Sequence, residues 1–402
     1  MNKDANASPP DRIDPTRLDL HRIVETAGGG SCFVYDVDAI QARVARLRHA
    51  LPAGLALRYA VKANPFPPLL HHVAGLVDGL DVASGREMQI GLNATRDATA
   101  LAFAGPGKTD AELDAAIAGG VLLEAESPGE VSRIQQRARD QGRRARLALR
   151  LNPGVSASGA GLRMAGATQF GMAPDDAVAV LDALEPHAIA YEGVHAFLGS
   201  QVLDAGVITQ GFETVVALVR DVTARSGRPP AYVNLGGGFG IPYARTDRPL
   251  DLDAVGRGLA DTLAGARSAL PPTRFGIELG RYLVGEAGIY VTRVVDRKTN
   301  GGETFVVTEG GLHHVLAATG NFGQRIRRNW PVSLVPRGAP GPIERQTVVG
   351  CNCTPLDTLA SGVELPRAEP GDLVVVAQTG AYGATASPAG FLSHPEASEV
   401  LV

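Results

Sequence analysis

Lys62 is one of only four lysines in a chain of 402 residues whose other basic side chains are arginines; the others are Lys3, Lys108 and Lys298. It stands at the end of the apolar segment LRYAVKAN, which is typical of a β-strand. A lysine there either extends its ammonium to water along its stem or stays neutral. Taken alone, the position favours the first, purely structural interpretation.

A run of glycines, GGGFG at 236–240, follows the strand-like segment YVNL. Successive glycines let the backbone approach a phosphate and direct N–H groups at it. The run fits neither a Walker A loop nor the dinucleotide-binding fingerprint, and glycine runs also form plain turns.

Charged and aromatic side chains occur in two further segments. ELGRYLV supplies Glu278 and Arg281 at the end of another strand, where such a pair is usually an exposed ion pair. GAYG places Tyr382 on a turn, where a tyrosine is usually a packed aromatic. Only in combination with Lys62 do these residues point to a functional site.

The elements that must position these residues alternate regularly. From residue 31 to residue 280, short apolar runs such as ALRYAVKAN, GLDVAS and GVLLEA alternate with amphipathic stretches about eight times. This alternation predicts an α/β fold with a (β/α)8 TIM barrel over 31–280, although a doubly wound sheet shares it. Lys62, Asp81, Gly236–Gly238 and Glu278 all follow strands, where a barrel carries its active site.

The two ends of the chain do not share this alternation of strands and helices. After about residue 281, β-rich segments are separated by Gly, Pro and Asn turns, which predicts a mostly antiparallel C-terminal β domain over 281–402. Residues 1–30 begin with a polar, Pro-rich stretch. We expect them to be partly disordered and to join the β domain.

The composition disfavours several classes of protein. A net charge of −4 and a pI near 6.2 predict binding to neither nucleic acid nor an anionic membrane. The sequence has no signal-peptide core and no run of about 18 uncharged apolar residues, so a cytoplasmic protein is expected. Three cysteines fit a reducing compartment. Cys351 and Cys353 lack a second ligand pair, so no metal is expected.

Nine motifs occur in the order seen in one enzyme family: YAVKAN, DVAS, FAGPGK, LRLNP, GSQ, GGGFG, ELGRYLV, CTPLD and GAYG. From about residue 31 to the C-terminus the chain therefore resembles the ornithine/diaminopimelate decarboxylases. These are fold-type III pyridoxal 5′-phosphate (PLP) enzymes, which share their barrel with alanine racemase. The resemblance implies PLP-dependent decarboxylation of an amino acid.

The resemblance also implies roles for individual residues. Lys62 resembles the lysine that binds PLP as a Schiff base. Glu278 resembles the carboxylate that keeps the pyridine nitrogen protonated, so that the ring accepts electrons as carbon dioxide departs. Asp81 resembles a carboxylate near that lysine. The other matching cofactor-binding positions are Ser200, Gly236, Gly237, Gly238, Gly280, Arg281 and Tyr382.

Cys353 in CTPLD resembles the cysteine that this family contributes across a dimer interface, where it protonates the carbanion at Cα. The resemblance therefore implies a head-to-tail homodimer with shared active sites. An unassisted buried cysteine is usually inert, so this role depends on the resemblance. Thr354 and Asp357 of the same motif, together with Arg327, are predicted to contact the substrate.

Two positions depart from the family pattern. Many relatives carry a histidine that stacks on the PLP ring where GVHAFLGSQ has Phe197. His195, two residues earlier on the same strand face, either takes over part of that function or is a satisfied core residue. Relatives that act on diamines or diaminopimelate carry an acidic residue where this chain has Thr354. A neutral hydroxyl cannot offset burial of an ammonium, so a substrate with a free basic tail is disfavoured.

The segment EGGLHHVLAATGNFGQRIRRNWP differs from the one with which diaminopimelate decarboxylases hold a distal carboxylate. Its His313, His314, Arg325, Arg327 and Arg328 make it partly basic. The arginines are either solvated or receive an anionic substituent, such as the phosphopantetheine arm of a carrier protein. This segment and GAYGATASPAGFLSHP resemble a subgroup from secondary-metabolite and exopolysaccharide gene clusters. We therefore predict a substituted or carrier-tethered amino-acid substrate without a free distal ammonium.

Three other functions stay open at this point. A decarboxylase of diaminopimelate or another basic amino acid would share every cofactor motif. An amino-acid racemase would share the barrel and Lys62 but would need a second base opposite the lysine. A non-catalytic regulator on the same fold would usually have lost cofactor or acid residues, whereas Lys62, Glu278, Arg281 and Cys353 are all present.

Overall fold

The computed structural model describes residues 9–154, 162–163, 168–244, 246–270, 272–322 and 327–402. The chain divides into two compact units. The first, here called the barrel unit, comprises Ala45–Ile241 and Pro249–Gly280. The second, here called the β unit, comprises the residues up to Val44, Pro242–Arg248 and Arg281–Val402.

Strands and helices alternate through the barrel unit, whereas strands predominate in the β unit. Within the described residues the strands are, in chain order, β1 Cys32–Tyr35, β2 Ala56–Ala60, β3 Gly79–Val82, β4 Leu101–Phe103, β5 Leu122–Ala125, β6 Ala145–Leu151, β7 Leu162–Arg163, β8 Ile189–Ala196, β9 Gly199–Ser200, β10 Tyr232–Gly237, β11 Arg274–Leu279, β12 Gly288–Asn300, β13 Glu303–Thr308, β14 Val332–Val335, β15 Ile343–Val349, β16 Thr358–Pro366, β17 Leu373–Ala377 and β18 Ser398–Leu401. The α-helices of the same residues are α1 Leu20–Thr26, α2 Val37–Ala50, α3 Pro67–Ala74, α4 Gly85–Thr95, α5 Asp110–Gly119, α6 Pro128–Asp140, α7 Pro174–Asp182, α8 Ala205–Ser226, α9 Leu252–Arg267, α10 Arg281–Val284 and α11 Leu312–Val315. Among these helices, none combines the length and the apolar character needed to cross a membrane.

In the described part of the barrel unit, eight strands close into a barrel in the order β10, β11, β2, β3, β4, β5, β6, β8. Every neighbouring pair in this barrel is parallel. Helices α3 to α9 connect the successive barrel strands. The closed sheet confirms the predicted (β/α)8 barrel and excludes the doubly wound alternative.

Burial on both faces explains why the barrel strands are mostly apolar. Strands β3, β4 and β5 are buried at every position, so apolar residues predominate on both faces and do not alternate with polar ones; the exceptions are single buried carboxylates, Asp81 in β3 and Glu124 in β5. Side-chain caps start the following helices. Thr109 forms a capping box with Glu112 at α5, and Ser127 accepts a hydrogen bond from the Glu130 N–H at α6. The carboxyl ends of the strands therefore lie together at one end of the barrel.

The sheet of the β unit is mostly antiparallel, as predicted. Its described strands follow the order β14, β17, β12, β13, β15, β16, and β1 pairs with both β12 and β18. The parallel pairs are β13 with β15 and β1 with β18. Leu20 and Val24 of α1 pack in one hydrophobic cluster with Val34, Val291 and Val375. The described part of the N-terminal segment thus lies in the β unit, and residues 1–8 lie outside the described residues.

The predicted start of the barrel at residue 31 is too early by one strand. Strand β1 pairs with β12 and β18, both of the β unit, and the barrel unit begins at Ala45 inside α2. The segment CFVY followed by a helix has the same pattern as a first strand–helix pair of a barrel. Its strand partners distinguish the two cases, and the sequence does not contain that information. Pro242–Arg248 also belongs to the β unit, although it lies within the predicted barrel.

Candidate active site

Lys62 lies in a 3₁₀ turn directly after β2, at the carboxyl end of the barrel. Its Nζ is 3.9 Å from Oε1 of Glu278 on the neighbouring strand β11 and 5.7 Å from the centre of the Phe197 ring. Gly280 allows close approach of the chain after β11, because a Cβ there would lie 2.8 Å from the Cβ of Ala63. The barrel therefore brings together the predicted lysine, carboxylate and aromatic ring, which are far apart in the sequence.

His195 on β8 lies between two buried carboxylates. Its Nδ1 is 2.9 Å from Oε2 of Glu124, and its Nε2 is 3.1 Å from Oε2 of Glu278. Burial lowers the pKa of His195, but the charges of Glu124 and Glu278 overcome this effect and raise it to about 9. The imidazole is therefore positively charged at neutral pH. The sequence left open whether His195 takes over part of the missing histidine's function or is a satisfied core residue, and the structure adds that two carboxylates flank its ring.

Glu278 is ionised although it is buried. Burial raises its pKa, but contact with His195 and the charges of His195, Lys62 and Arg150 lower it to about 2. Burial also raises the pKa of Glu124, and His195 reverses that effect, so the net shift is downward. A buried, permanently ionised carboxylate can hold a proton on a nitrogen base placed beside it.

Asp81 on β3 pairs with an arginine from the neighbouring strand. Nε of Arg58 lies 2.5 Å from Oδ1 of Asp81, and Nη2 of Arg58 donates to the carbonyl oxygens of Leu80 and Ala100. Burial and the charges of Glu278 and Glu124 raise the pKa of Asp81, against the opposing effect of Arg58. Arg58 therefore supplies a buried cation to a barrel interior that is rich in carboxylates.

The glycine run forms a tight cradle at the end of β10. Gly236 and Gly238 have φ angles of +74° and +85°, a conformation that side chains rarely adopt. A Cβ on Gly237 would lie 2.0 Å from the carbonyl oxygen of Glu278, and one on Gly238 would lie 2.1 Å from that of Gly199. These glycines are therefore required for the backbone to pass this close to the adjoining segments.

The loop that carries Gln201 and Val202 is hydrogen-bonded to the end of this glycine run. Nε2 of Gln201 donates to the Ile241 carbonyl at 2.6 Å, and Oε1 of Gln201 accepts from the Ile241 N–H at 3.2 Å. The Val202 N–H donates to the carbonyl oxygen of Gly238 at 3.0 Å. Ser200 lies beside these contacts in β9, half-buried. The GSQ motif alone did not predict this positioning function of its glutamine.

Two predicted phosphate-binding residues meet in the β unit. Cζ of Arg281 lies 4.7 Å from the centre of the Tyr382 ring, and Nη1 of Arg281 donates to the Tyr243 hydroxyl at 2.6 Å. Tyr243 stacks on Trp330 with ring centres 4.3 Å apart. Tyr382 has a φ of +55°, which costs about 1–3 kcal/mol and often marks functional positions. Tyr243 was not predicted from the sequence.

The CTPLD motif forms a turn in the β unit. Cys353 is exposed, whereas Cys351 is half-buried, and burial raises the pKa of the Cys351 thiol. The Thr354 N–H donates to the Asn352 carbonyl at 2.7 Å, and the Thr354 hydroxyl accepts from the Leu356 N–H at 3.3 Å. Cys353 is therefore the accessible thiol of the pair, as its predicted role requires.

Asp357, predicted to contact the substrate, has a structural position instead. The residue is 2% exposed, and its carboxylate accepts from the Leu312 N–H at 2.7 Å and from the Asn352 N–H at 2.9 Å. A Cβ on Gly311 or Gly350 would lie within 2.4 Å of its oxygens. Because these backbone donors occupy its oxygens, Asp357 joins two loops, and we correct the predicted substrate role.

The 312–328 segment is less basic than its sequence suggests. Burial, reinforced by His314, lowers the pKa of His313 to about 4, and burial lowers the pKa of His314 as well. Both imidazoles are therefore neutral near pH 7. Arg327 donates from Nη2 to the Thr358 carbonyl, and its substrate contact stays a prediction. Arg325 lies outside the described residues.

Sequence reasoning missed several charged residues of the barrel interior. Glu124 lies in LLEA, Arg58 in ALRYA and Arg150 in ARLALRL, each inside a strand that is otherwise apolar. Nη1 of Arg150 lies 2.8 Å from Oε1 of Glu126. A charge within a strand that is buried on both faces requires a buried partner, and this signal identifies all of these positions.

These residues fit a phosphorylated cofactor with a basic ring nitrogen. Glu278 can stabilise the protonated form of such a nitrogen, the glycine cradle at 236–238 suits a phosphate, and Lys62 offers an amine nearby. When bound, PLP supplies an aromatic ring that accepts electrons from the bond being broken. An eight-stranded barrel with this set of groups defines the fold-type III class of PLP enzymes.

Comparison with known proteins identifies the family within that class. The model for the pyridoxal binding domain of pyridoxal-dependent decarboxylases matches residues 37–285. The chain belongs to this family. The predicted PLP-dependent amino-acid decarboxylase is thereby confirmed over the racemase and regulator alternatives.

Relatives with known names differ in their substrates. The chain is 37% identical to the L-glutamyl-[BtrI acyl-carrier protein] decarboxylase of Niallia circulans, over 92% of this chain and 88% of that protein. It is 30% identical to the 2-[(L-alanin-3-ylcarbamoyl)methyl]-2-hydroxybutanedioate decarboxylase of Staphylococcus aureus, over 90% and 92% of the two chains. Diaminopimelate decarboxylase from Helicobacter pylori, solved with L-lysine, superimposes with a TM-score of 0.84 at 25% identity and covers 95% of this chain and 94% of that one.

Proposed function

We propose that this PLP enzyme decarboxylates an amino acid that is substituted or tethered to a carrier protein and has no free distal ammonium. The observation that carries the substrate proposal is that the CTPLD turn presents no accessible carboxylate: Thr354 follows Cys353, and Asp357 is buried with its oxygens occupied. Burial of a substrate ammonium beside this turn would be uncompensated. Decarboxylation itself follows from the family.

The barrel residues have distinct roles in this proposal. Lys62 would hold the cofactor through its side-chain amine. Glu278 holds a proton at the pyridine nitrogen. Phe197 offers an apolar face to the ring, without the hydrogen bond that a histidine would provide. The N–H groups of Gly236–Gly238 and the hydroxyl of Ser200 hold the phosphate.

Residues of the β unit complete the proposed set. The resemblance assigns Arg281 and Tyr382 to the same phosphate, for which a guanidinium and a hydroxyl are suitable donors. Cys353 delivers a proton to Cα after carbon dioxide has left. Its exposure, in contrast to the half-buried Cys351, supports that choice between the two thiols.

The names of two relatives support a substrate of this kind. One acts on a glutamyl group carried by an acyl-carrier protein, and the other on an alaninyl carbamoyl derivative. In both names the amino acid is linked to a larger group. Relatives named diaminopimelate decarboxylase support the alternative, in which the substrate is a free amino acid with a second charged end.

The substrate class can be tested by incubating the purified enzyme with glutamyl carrier protein, free glutamate, ornithine, lysine and meso-diaminopimelate. We expect carbon dioxide release and a mass loss on the carrier-bound or substituted substrate. Release from the three basic amino acids should be slower by at least about 100-fold, because an unpaired buried charge costs several kcal/mol. Efficient turnover of any of these three would contradict the proposal.

Thr354→Asp is expected to shift selectivity toward basic amino acids. A carboxylate at this position can pair with a distal ammonium, so kcat/KM for ornithine or lysine should rise by about tenfold or more. The same variant should lose activity on the uncharged-tail substrate. Thr354→Asn is the matched control, because it changes size and polarity without adding charge, and it should leave the ratio between the two substrates near that of the wild type.

We propose further that the protein acts as a homodimer with shared active sites. Two large apolar side chains are exposed in the segment of Cys353 and in the segment bonded to it: Leu356 is 56% exposed and Phe322 is 40% exposed. Nδ2 of Asn321 donates to the Leu356 carbonyl at 3.2 Å and so joins the two segments. Large apolar side chains presented together at a surface are typical of an interaction site.

Mixing two inactive variants tests shared sites. Lys62→Ala and Cys353→Ala should each be nearly inactive, and co-refolded mixtures should recover about a quarter of the wild-type activity, since half of the dimers then hold one intact site. Sedimentation of the mixture should show dimers. A mixture no more active than its components would contradict shared sites, and a monomeric wild-type enzyme would contradict the dimer.

A further inference from the structure

His195 touches a carboxylate with each of its ring nitrogens. Glu124 lies 2.9 Å from Nδ1 and Glu278 lies 3.1 Å from Nε2, and the side chains of all three are at most 6% exposed. Both contacts are close ion pairs, although neither ring nitrogen forms a hydrogen bond of good geometry. Two ionised carboxylates this close to one imidazole stabilise its charged form. The arrangement therefore places a charged His195 between two ionised partners.

The charged groups around His195 favour this protonation state. Asp81, Glu124 and Glu278 bring three carboxylates into the barrel interior from β3, β5 and β11. Arg58 of β2 pairs with Asp81 and also acts on Glu124, and Lys62, Arg150 and the Tyr232 hydroxyl are further described groups near these carboxylates. Without a cation at 195, Glu124 and Glu278 would repel each other in a medium of low dielectric.

We infer that His195 is a positioning residue of the reaction: it holds the Glu278 carboxylate in place and keeps it ionised by separating it from Glu124. The inference rests on the proposed assignment of Glu278 to the cofactor nitrogen. We do not assign His195 to the face of the cofactor ring, because the aromatic side chain beside Lys62 is Phe197. The Glu124–His195–Glu278 row thus acts as one unit, in which the outer carboxylate maintains the charge of the histidine.

Removal of the cation should weaken cofactor binding. In His195→Gln, a single neutral amide replaces the cation that faced both carboxylates. Glu278 and Glu124 would therefore share a proton or move apart. We expect the Kd of the apoenzyme for PLP, measured by fluorescence quenching, to rise by about tenfold to a hundredfold. The pH dependence of the visible absorption of the bound cofactor should shift as well. Circular dichroism and thermal unfolding establish that the variant is folded.

A second substitution distinguishes this role from packing. Glu124→Gln removes the outer negative charge, so in the double variant Glu124→Gln/His195→Gln the remaining amide can donate to an ionised Glu278. We expect the double variant to bind PLP at least about tenfold more tightly than His195→Gln does. A histidine that only fills space would show no such rescue, because both substitutions would then disturb the core further. Failure of the double variant to bind better than His195→Gln overturns the inference.

Two measurements keep the inference testable if the variants fold poorly. In the wild-type apoenzyme labelled with ¹⁵N-histidine, His195 should show two protonated ring nitrogens at pH 7 and should titrate near pH 9. A neutral His195 signal at pH 7 overturns the inference. Glu278→Gln tests the underlying assignment separately. If it leaves the PLP affinity and the visible absorption unchanged, the proposed role of Glu278 is wrong, whereas loss in Glu278→Gln without loss in His195→Gln refutes only the role of His195.

Discussion

Lys62→Ala is expected to lower decarboxylation by roughly 10⁴-fold or more, the scale seen when a covalent nucleophile is removed. Lys62 lies at the carboxyl end of the barrel, with Nζ 3.9 Å from the buried carboxylate of Glu278. No neighbouring amine can substitute, because Lys108 is buried and its Nζ has three partners of its own. Carbon dioxide release from the preferred substrate measures the loss.

Covalent attachment gives a readout that does not depend on turnover. Borohydride reduction of the wild-type enzyme with PLP should add the cofactor to the peptide containing Lys62, as detected by mass spectrometry, and the variant should lack this adduct. Lys298→Ala is the matched control, since Lys298 is exposed on β12. It should keep both the adduct and the activity. An adduct at another lysine in the wild type, or a Lys62→Ala enzyme of normal rate, would contradict the assignment.

Lys108→Met is expected to reduce the free energy of unfolding by about 3–5 kcal/mol, because it leaves a buried carboxylate unpaired. Nζ of Lys108 lies 2.8 Å from Oε1 of Glu130 and donates to the carbonyl oxygens of Gly105 and Glu124 at 2.8 Å each. Its side chain is 1% exposed. Urea unfolding followed by circular dichroism should show a lower midpoint.

A second variant separates the charge effect from the loss of volume. Lys108→Met/Glu130→Gln should be more stable than Lys108→Met, because no unpaired buried charge remains. Lys298→Met should change the unfolding free energy by less than about 0.5 kcal/mol, as is usual at exposed positions. If Lys108→Met were as stable as Lys298→Met, Lys108 would be an ordinary surface lysine and its buried pairing would be wrong.

Lys108 also illustrates a limit of motif reasoning. Lys108 ends the FAGPGK motif, which supports the family but does not indicate what the lysine does. Its partners come from the carbonyl of Glu124 and from Glu130, at the end of the next strand and the start of the next helix. Only the packing of β4 beside β5 brings these atoms within reach.

The structure confirms most of the predicted architecture because burial leaves a strong signal in the sequence. The barrel strands are apolar runs of the expected length, and helix caps such as Thr109 with Glu112 mark where the helices begin. The boundary at residue 31 was wrong because β1 and α2 have the same local pattern as a barrel repeat. Pairing partners define a sheet, and partners that are distant in the sequence leave no local pattern.

The candidate site also has residues that the sequence could predict and residues that only the structure could place. Lys62, Glu278 and the glycines at 236–238 could be predicted because each stands at a strand end in a motif whose chemistry is restrictive. Asp357 could not be placed from its motif, since a carboxylate in a turn suits a substrate contact or a loop anchor equally well. Its burial and its backbone donors decide for the anchor.

By itself, the sequence indicated the fold class and the decarboxylase family and predicted Lys62 as the PLP lysine, because strand periodicity and ordered motifs are properties of the chain alone. Only the tertiary structure showed the surroundings of His195, for which the sequence left open whether it takes over part of the stacking histidine's function or is a satisfied core residue. The reason is electrostatic: the protonation state of a buried imidazole depends on the charges that other strands bring to it. Here β5 and β11 each bring a carboxylate, and the pair holds His195 as a cation.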